Sequence, residues 1–177
     1  MSDPTTFPLW PKGRYFDDFV VGEVIEHHWG RTLRTYDSTL FSSLLLHYSP
    51  LYFNDAWAAE HGCRADTINP YFVFLLVLGM SVEDTSEGVD GAAGAFLGVD
   101  SVEFLAPVVA SDTVTCRTEV IGKRRSKSRP QQGIVSWRTT GVNQDAVEVL
   151  RFERSNLTSL RPELENFTRR QPKAVPA

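Results

Sequence analysis

One uninterrupted apolar run, residues 71–80, constrains the fold more than any other feature of the sequence. It follows Asn69 and Pro70, and proline is favoured at the first position of a helix, where no backbone donor is needed. The run continues through residues 81–83 without a turn signal, which favours a helix over the alternative of a buried strand. A helix that is apolar on every side must be buried on every side, so we predict it at the centre of the fold.

The second half of the sequence predicts strands, because short alternating segments there are separated by polar turns. Four strands are predicted, over residues 96–107, 113–120, 133–142 and 147–158, with connecting turns at 123–130 and 143–145. A run of strands with short connections implies an antiparallel sheet. We therefore predict the α+β class, with a curved antiparallel sheet wrapped around one central apolar helix.

Two shorter helices are predicted before the apolar helix. One begins near Thr35 or Asp37, both favoured at helix N-termini, and ends before Pro50. The other covers residues 55–61 and ends at Gly62, a common residue just past a helix C-terminus. The first of these helices carries on one face Leu40, Phe41, Leu44 and Leu45.

A further strand is predicted near the start of the chain, over residues 24–29, where Gly30 ends it or introduces a bulge. Adjacent residues of a strand point to opposite faces, so His27 and His28 cannot bind one metal ion together. We expect one of them to be packed and the other exposed, with Ile25 and Trp29 on the face of His27. No cluster with metal-ligand spacing is found, so no metal is predicted.

The length predicts one domain, and the two isolated cysteines predict a reducing compartment. We expect an irregular lead-in at residues 1–14, a single domain at 15–160 and a loosely packed tail at 161–177. Cys63 and Cys116 lie far apart, so no disulfide framework is expected. The net charge of −4 argues against a nucleic-acid partner, and the apolar run is about half of the ~20 residues of a membrane span. We expect a cytoplasmic protein that binds no membrane.

Several segments together resemble the MaoC-like acyl-CoA hydratase/dehydratase family, which has the hotdog fold. The segments that carry this resemblance are YFDDFVVG at 15–22, GRT at 30–32 with Thr35 and Asp37, FLAPV at 104–108 with SDT at 111–113, and GVNQ at 141–144. The segments GRYFDDF at 13–19 and SKSRP at 126–130 are similar to the branch that hydrates mesaconyl-CoA and dehydrates β-methylmalyl-CoA. The resemblance covers roughly residues 13–160 and implies one hotdog domain.

The resemblance implies an enzyme that adds water reversibly across the double bond of a short, branched or dicarboxylic enoyl-CoA. No cofactor is implied beyond the coenzyme A of the substrate. Hotdog subunits pair their sheets around the ligand, so a homodimer or higher homo-oligomer is implied. Two alternatives stay open: a non-catalytic acyl-CoA-binding or partner subunit, and a thioesterase. The thioesterase is less favoured because it needs an acidic residue near the apolar helix, where Asn69 stands.

The family's catalytic motif is D-x-N-P-x-H, and its counterpart here begins at His47. Pro50 keeps its place, but His47 stands at the Asp position and Tyr52 at the His position. An imidazole suits a base at neutral pH, so we predict His47 as base and Tyr52 as the residue that orients water or acts as acid. We predict that Ser49 and Asn54 bind substrate. The alternative is a histidine at a helix end and a packed aromatic residue.

Two further groups are candidates for substrate contact. Asn69 either caps the apolar helix or points into the pocket, where free backbone N–H groups would polarise a thioester carbonyl. Arg31 and the basic run at residues 123–129 are candidates for binding anionic groups of the ligand. Such a run is often only a solvated turn. The members of this run that we predict to bind the phosphates of coenzyme A are Lys123, Arg124, Lys127 and Arg129.

Overall fold

The computed structural model describes residues 14–85 and 94–161. Strand β1 (Val24–Thr32) is followed by the helices α1 (Thr35–Leu44), α2 (Asp55–Glu60) and α3 (Pro70–Thr85). Then come the strands β2 (Phe96–Phe104), β3 (Thr113–Arg125), β4 (Gln132–Val142) and β5 (Glu148–Ser159). Apart from Arg14 and Arg161, the predicted lead-in and tail lie outside the described residues. No helix in the described ranges is long and apolar enough to cross a membrane.

The five strands form one antiparallel sheet in the order β1-β3-β4-β5-β2, which leaves β1 and β2 at its edges. The α+β prediction, the central helix and all five predicted strands are confirmed. The predicted turn at 123–130 is wrong in part, because Lys123 and Arg124 continue β3 and pair with Val135 and Ile134. Strand β2 ends at Phe104, before Pro107, which has no N–H to donate to a ladder.

Helix α3 packs against one face of the sheet. Its buried residues Val73 and Val77 join a core cluster that includes Val114, Val149 and Phe152. At Gly141 of β4 the helix comes very close, since an added Cβ atom would lie 2.9 Å from a methyl carbon of Val77. A glycine here allows the helix to lie directly on the sheet backbone.

The prediction that the central helix is buried on every side is wrong for the described chain. Tyr71 and Leu75 are 51% and 46% exposed, because the sheet covers only one side of α3. The predicted apolar face of α1 is also uncovered at Leu40 and Leu44, whereas Ser38 and Ser42 are buried against α3. The helix therefore turns its small polar side chains inward, where Asn69 binds them.

The expectation for the two adjacent histidines is confirmed, because His27 is buried and His28 is exposed. Both ring nitrogens of His27 are hydrogen-bonded, to Asp84 at 2.7 Å and to Thr118 at 2.8 Å. The expectation that Trp29 shares the inward face is wrong, since it is 55% exposed. A register shift between Glu26 and Gly30 breaks the alternation of β1 before the tryptophan.

A tight turn at the end of α1 places the residue that follows it, His47. The N–H of Leu46 donates to the Ser43 carbonyl at 3.2 Å, and the N–H of His47 donates to the Ser42 carbonyl at 2.8 Å. These two bonds form a Schellman motif, in which glycine usually occupies the left-handed position. Here that residue is Leu46, with φ of +57°, so the turn that presents His47 holds backbone strain.

We expect Gly141→Ala to lower the free energy of unfolding by about 1–3 kcal/mol, because α3 or Val77 must shift to make room for the methyl group. Urea denaturation measures the change. The control is Gly122→Ala, whose added Cβ atom would meet only Ser136 at 3.9 Å and should change stability by less than about 0.5 kcal/mol. Equal effects of the two substitutions would contradict the close approach of α3 to β4.

We expect Leu46→Gly to raise the free energy of unfolding by about 1 kcal/mol, because glycine adopts a positive φ without a Cβ penalty. Leu44→Gly is the matched control, since Leu44 and Leu46 are 73% and 71% exposed. In the last turn of α1 the same replacement should lower stability by about 1 kcal/mol. Thermal and urea unfolding of both variants test this, and a loss of stability in Leu46→Gly would refute the strained turn.

Candidate functional site

An apolar pocket opens between the start of α3 and the end of the edge strand β2. Its volume is about 310 Å³, at the small end of the range for ligand sites. All of its lining residues are uncharged: Tyr52, Thr67, Ile68, Pro70, Val73, Phe104, Leu105, Ala106, Pro107, Val108 and Val149. The sequence predicted Tyr52 as a site residue, and the structure places it in this wall.

Aromatic rings gather beside this pocket and include the predicted pair. The rings of His47 and Tyr52 have centroids 5.6 Å apart, and His47 lies 5.5 Å from the ring of Tyr71. Tyr71 in turn contacts Phe104 at 6.0 Å. Burial, with a smaller contribution from Tyr71, raises the pKa of Tyr52. Tyr52 therefore keeps its proton at neutral pH and is a hydrogen-bond donor there rather than a base.

Asn69 determines which ring nitrogen of neutral His47 carries the proton. Its side-chain Oδ1 accepts the N–H of Tyr71 at 3.0 Å, and this bond fixes which side of the amide is oxygen. Its Nδ2 therefore donates to Ser42 Oγ at 2.9 Å and to His47 Nδ1 at 3.1 Å. Because Nδ1 accepts, the neutral imidazole carries its proton on Nε2. In this tautomer Nε2 of His47 is a donor, and the lone pair of Nδ1 accepts the hydrogen bond from Asn69. The role of His47 as base stays a prediction.

Asn69 also caps the N-terminus of α3. Asn69 is fully buried and caps the helix, as one of the two sequence alternatives has it. Pro70 has no N–H, that of Tyr71 is bound to Asn69 Oδ1, and that of Phe72 is bound to the Asn69 carbonyl at 3.0 Å. The backbone N–H groups at the start of α3 are therefore already hydrogen-bonded or absent. Only side chains are left to polarise a ligand carbonyl.

Three other predicted substrate contacts are engaged in local structure. Ser49 holds the turn before the pocket, because its N–H donates to the His47 carbonyl at 2.9 Å. Asn54 is exposed and caps α2 by accepting the N–H of Trp57 at 3.0 Å. Arg31 donates to Asp37 at 2.6 Å and lies over the ring of Phe72. Their roles in binding substrate stay predictions.

The basic run is not brought to the pocket within one chain. Cys116 of β3 pairs with Gly141 of β4, at the end of the sheet near the pocket. Lys123 lies seven residues farther along β3, which is roughly 23 Å at the spacing of a strand. The Lys123 ammonium donates to the Phe19 carbonyl at 2.7 Å. The remaining members of the run are exposed near the opposite end of the sheet: Arg124, Lys127 and Arg129. Phosphate binding by these residues stays a prediction.

A second concavity, of about 350 Å³, lies on the outer face of the sheet and is lined by paired charges. Arg138 bonds Glu153 at 2.7 Å, and Arg117 bonds Glu148 at 2.8 Å. These arginines are occupied by neighbouring carboxylates, so we place the functional site in the apolar pocket.

No group of three or more potential metal ligands is found within residues 14–85 and 94–161. Burial raises the pKa of the Cys116 thiol to about 12, which makes it a packing residue rather than a nucleophile.

Sequence reasoning missed three residues of this site: Ser42, Tyr71 and Phe104. Ser38 and Ser42 stand four residues apart, and this spacing places them on one face of α1. That pattern was a usable signal for a buried polar contact. Tyr71 was absorbed into the apolar run, and nothing local in the sequence connects it with Phe104, because the two residues are joined only by the fold.

Comparison with known proteins gives the family. A family model described as mesaconyl-CoA hydratase matches residues 9–171. The mesaconyl-CoA hydratase of Haloarcula hispanica is 33% identical over 147 residues, which are 82% of this chain and 40% of that protein. The chain thus spans about two fifths of the length of the curated relatives it matches.

Solved structures show the same fold. A putative MaoC domain protein dehydratase from Chloroflexus aurantiacus is 29% identical with a TM-score of 0.77, over 88% of this chain and 43% of that one. A Mycobacterium tuberculosis protein with a double hotdog fold is 26% identical with a TM-score of 0.72, over 85% of this chain and 46% of that one. The chain belongs to the mesaconyl-CoA hydratase family of MaoC-like hotdog proteins.

Proposed function

We propose that the chain is a hydro-lyase that adds water reversibly across the double bond of a short enoyl-CoA, with no cofactor beyond the coenzyme A of the substrate. The observation that carries this is the fixed Nε2–H tautomer of His47 beside an apolar pocket. Similarity to a mesaconyl-CoA hydratase supports the reaction class.

Hydration forms a bond between water oxygen and the β-carbon while negative charge develops on the thioester oxygen. We place the acyl group in the pocket and the carbonyl at its mouth, where the Nε2–H of His47 and the hydroxyl of Tyr52 can donate to the oxygen. Donors aimed at the developing charge lower the barrier. The proton that water loses goes to a base, and the α-carbon gains a proton. In dehydration the same donors act in reverse.

The base is best supplied by a second hotdog unit. No carboxylate lines the described pocket, and His47 in its fixed tautomer donates. The pocket includes Phe104 and Leu105, at the end of the edge strand β2, where a second sheet can pair. We propose that the second unit is another copy of this chain, in a homodimer that closes the pocket and covers the exposed side of α3.

The missing carboxylate also favours a second candidate function, a non-catalytic acyl-CoA-binding or partner subunit. In that case the acyl group binds here, and a different chain holds the complete catalytic site. The thioesterase alternative has less support, because it too needs an acidic residue beside α3, and the described lining has none.

The test of the proposed function is purified protein with crotonyl-CoA, followed by loss of enoyl absorbance beside a free-thiol assay. A hydratase consumes the enoyl group without releasing thiol. Thiol release would establish a thioesterase instead. No turnover, together with a thermal shift on addition of butyryl-CoA, would favour the binding subunit.

We expect His47→Leu to lower kcat/KM by roughly 10²–10³-fold, because it removes a donor to the developing oxyanion. His47→Gln keeps an amide N–H of similar reach and should stay within about 10-fold of the parent. Steady-state hydration kinetics of both variants decide the role of His47. An equal and nearly complete loss of kcat/KM in both variants would instead show that His47 acts as a base.

We expect Val102→Lys to shift the protein from dimer toward monomer, because a charge on an edge strand opposes pairing of sheets. Val102 lies in β2 and is 38% exposed. The control is Val20→Lys, which adds the same charge to an exposed residue outside the sheet. Light scattering coupled to size-exclusion chromatography reads the mass, and a Val102→Lys dimer as stable as the control would exclude pairing through β2.

A further inference from the structure

The positive charge of the chain is concentrated far from the apolar pocket. The lining of the pocket is uncharged, whereas the basic run at residues 123–129 holds five Lys and Arg side chains. We infer that, in the homodimer, the basic run of one copy binds the phosphates of a coenzyme A thioester whose acyl group lies in the pocket of the other copy. This inference rests on the proposed function for the coenzyme A ligand and for the dimer that pairs through β2.

The basic run presents cations that no carboxylate neutralises. The surrounding sequence, residues 120–144, contains no Asp or Glu. Arg124, Lys127 and Arg129 are exposed, and within the described ranges none of them forms an ion pair. The arginines on the outer face of the sheet, by contrast, are paired with glutamates. A chain with a net charge of −4 thus carries a local positive site, and Lys and Arg side chains suit phosphate groups.

Within one copy the basic run lies too far from a ligand in the pocket. Lys123 is roughly 23 Å along β3 from the pocket end of the sheet, and β3 is also three strands away from β2. The pantetheine arm of coenzyme A joins the sulfur to the first phosphorus through about 13 bonds, an extended reach of roughly 16 Å. With the thioester at the mouth of the pocket, the diphosphate falls short of the basic run of the same copy.

Rows of paired residues cross the sheet at its two ends. The row at the pocket end is formed by Phe104, Leu150, Gly141 and Cys116. The row at the opposite end is formed by Phe96, Asn156, Val135 and Lys123. The basic run therefore begins level with the first residue of β2.

A dimer through β2 brings the opposite ends of two sheets together. Two identical edge strands that pair in antiparallel fashion are related by a two-fold axis perpendicular to the sheet. The Phe104 end of one β2 strand then lies beside the Phe96 end of the other. The row that contains Lys123 in the partner copy is thereby placed level with the pocket of the first copy.

The distance across this dimer fits the ligand. Four strand spacings separate β2 of one copy from β3 of the other, which is roughly 19 Å. The pantetheine arm covers roughly 16 Å of this distance, and the diphosphate and the 3′-phosphate extend beyond the arm. The exposed cations of the partner copy therefore lie where the phosphates of the bound ligand end.

Removal of the cations tests whether they bind phosphate. The neutral variant combines Arg124→Gln, Lys127→Gln and Arg129→Gln, all at exposed residues. By titration calorimetry we expect it to bind butyryl-CoA about 10–100-fold more weakly, and to bind butyryl-pantetheine, which has no phosphate, within about 2-fold of the parent. Equal losses for the two ligands, or no loss for butyryl-CoA, would overturn the inference.

Mixed dimers decide which copy supplies the cations. One copy carries His47→Leu, the other copy is the neutral variant, and two different affinity tags isolate the mixed dimer. Binding across the dimer leaves the pocket of the neutral copy with an intact basic run, so one of the two sites is whole. We then expect about half of the parent kcat/KM for crotonyl-CoA hydration. A value near the mean of the two variant homodimers would show that each copy serves its own pocket, which would refute the inference.

A comparison of dimer and monomer does not depend on turnover. In a Val102→Lys background, which we expect to be monomeric, the three neutral substitutions should change the affinity for butyryl-CoA by less than about 2-fold. The same loss in both backgrounds would contradict the inference. If no enoyl-CoA reacts but the loss is confined to the dimer, the hydratase proposal fails and the inference stands. A parent protein that is itself monomeric would overturn the inference together with the proposed dimer.

Discussion

The site depends on one buried amide. Asn69 is fully buried, and its backbone N–H and side chain together make hydrogen bonds to α1, to the first turn of α3 and to His47. Two of these partners, Ser38 and Ser42, are buried, and leaving a buried polar group unpaired costs free energy. The amide therefore holds α1 against the central helix and sets the tautomer of His47 with the same atoms. The fold and the chemistry are coupled at this residue, which is why α1 turns Ser38 and Ser42 inward and leaves its leucines outside.

The exposed apolar surface follows from the same arrangement. Helix α3 is apolar all round, but one sheet covers one side of it, and Tyr71 and Leu75 stay half exposed. The pocket ends at β2, which has a free edge. Relatives of this chain are about twice as long, and one structural neighbour has a double hotdog fold. Our proposal of a second unit gives these features one explanation, since it would cover the helix, pair the edge and close the pocket.

Periodicity was enough to predict α3 and all five strands, because these elements follow from local patterns of apolar residues. The site was predictable only in part. The sequence predicted His47, Tyr52 and Asn69 as site residues, and the structure places them together. The cap that Asn54 forms on α2 was a local signal, because its partner Trp57 is three residues away. The sequence could not show that Lys123 binds the Phe19 carbonyl or that the basic run lies far from the pocket. Those outcomes depend on contacts between distant segments, which neither residue type nor spacing encodes.

The central claim is that Asn69 holds the proton of His47 on Nε2. A long-range proton–nitrogen correlation spectrum of protein with labelled histidine reports directly which ring nitrogen carries the proton. The chain has four histidines, and the signal lost in His47→Gln identifies the one of interest. The account predicts that neutral His47 has an unprotonated Nδ1 and a protonated Nε2, and that Asn69→Leu removes this preference. A proton on Nδ1 in the parent protein would contradict the account, because it would free Nε2 to act as the base.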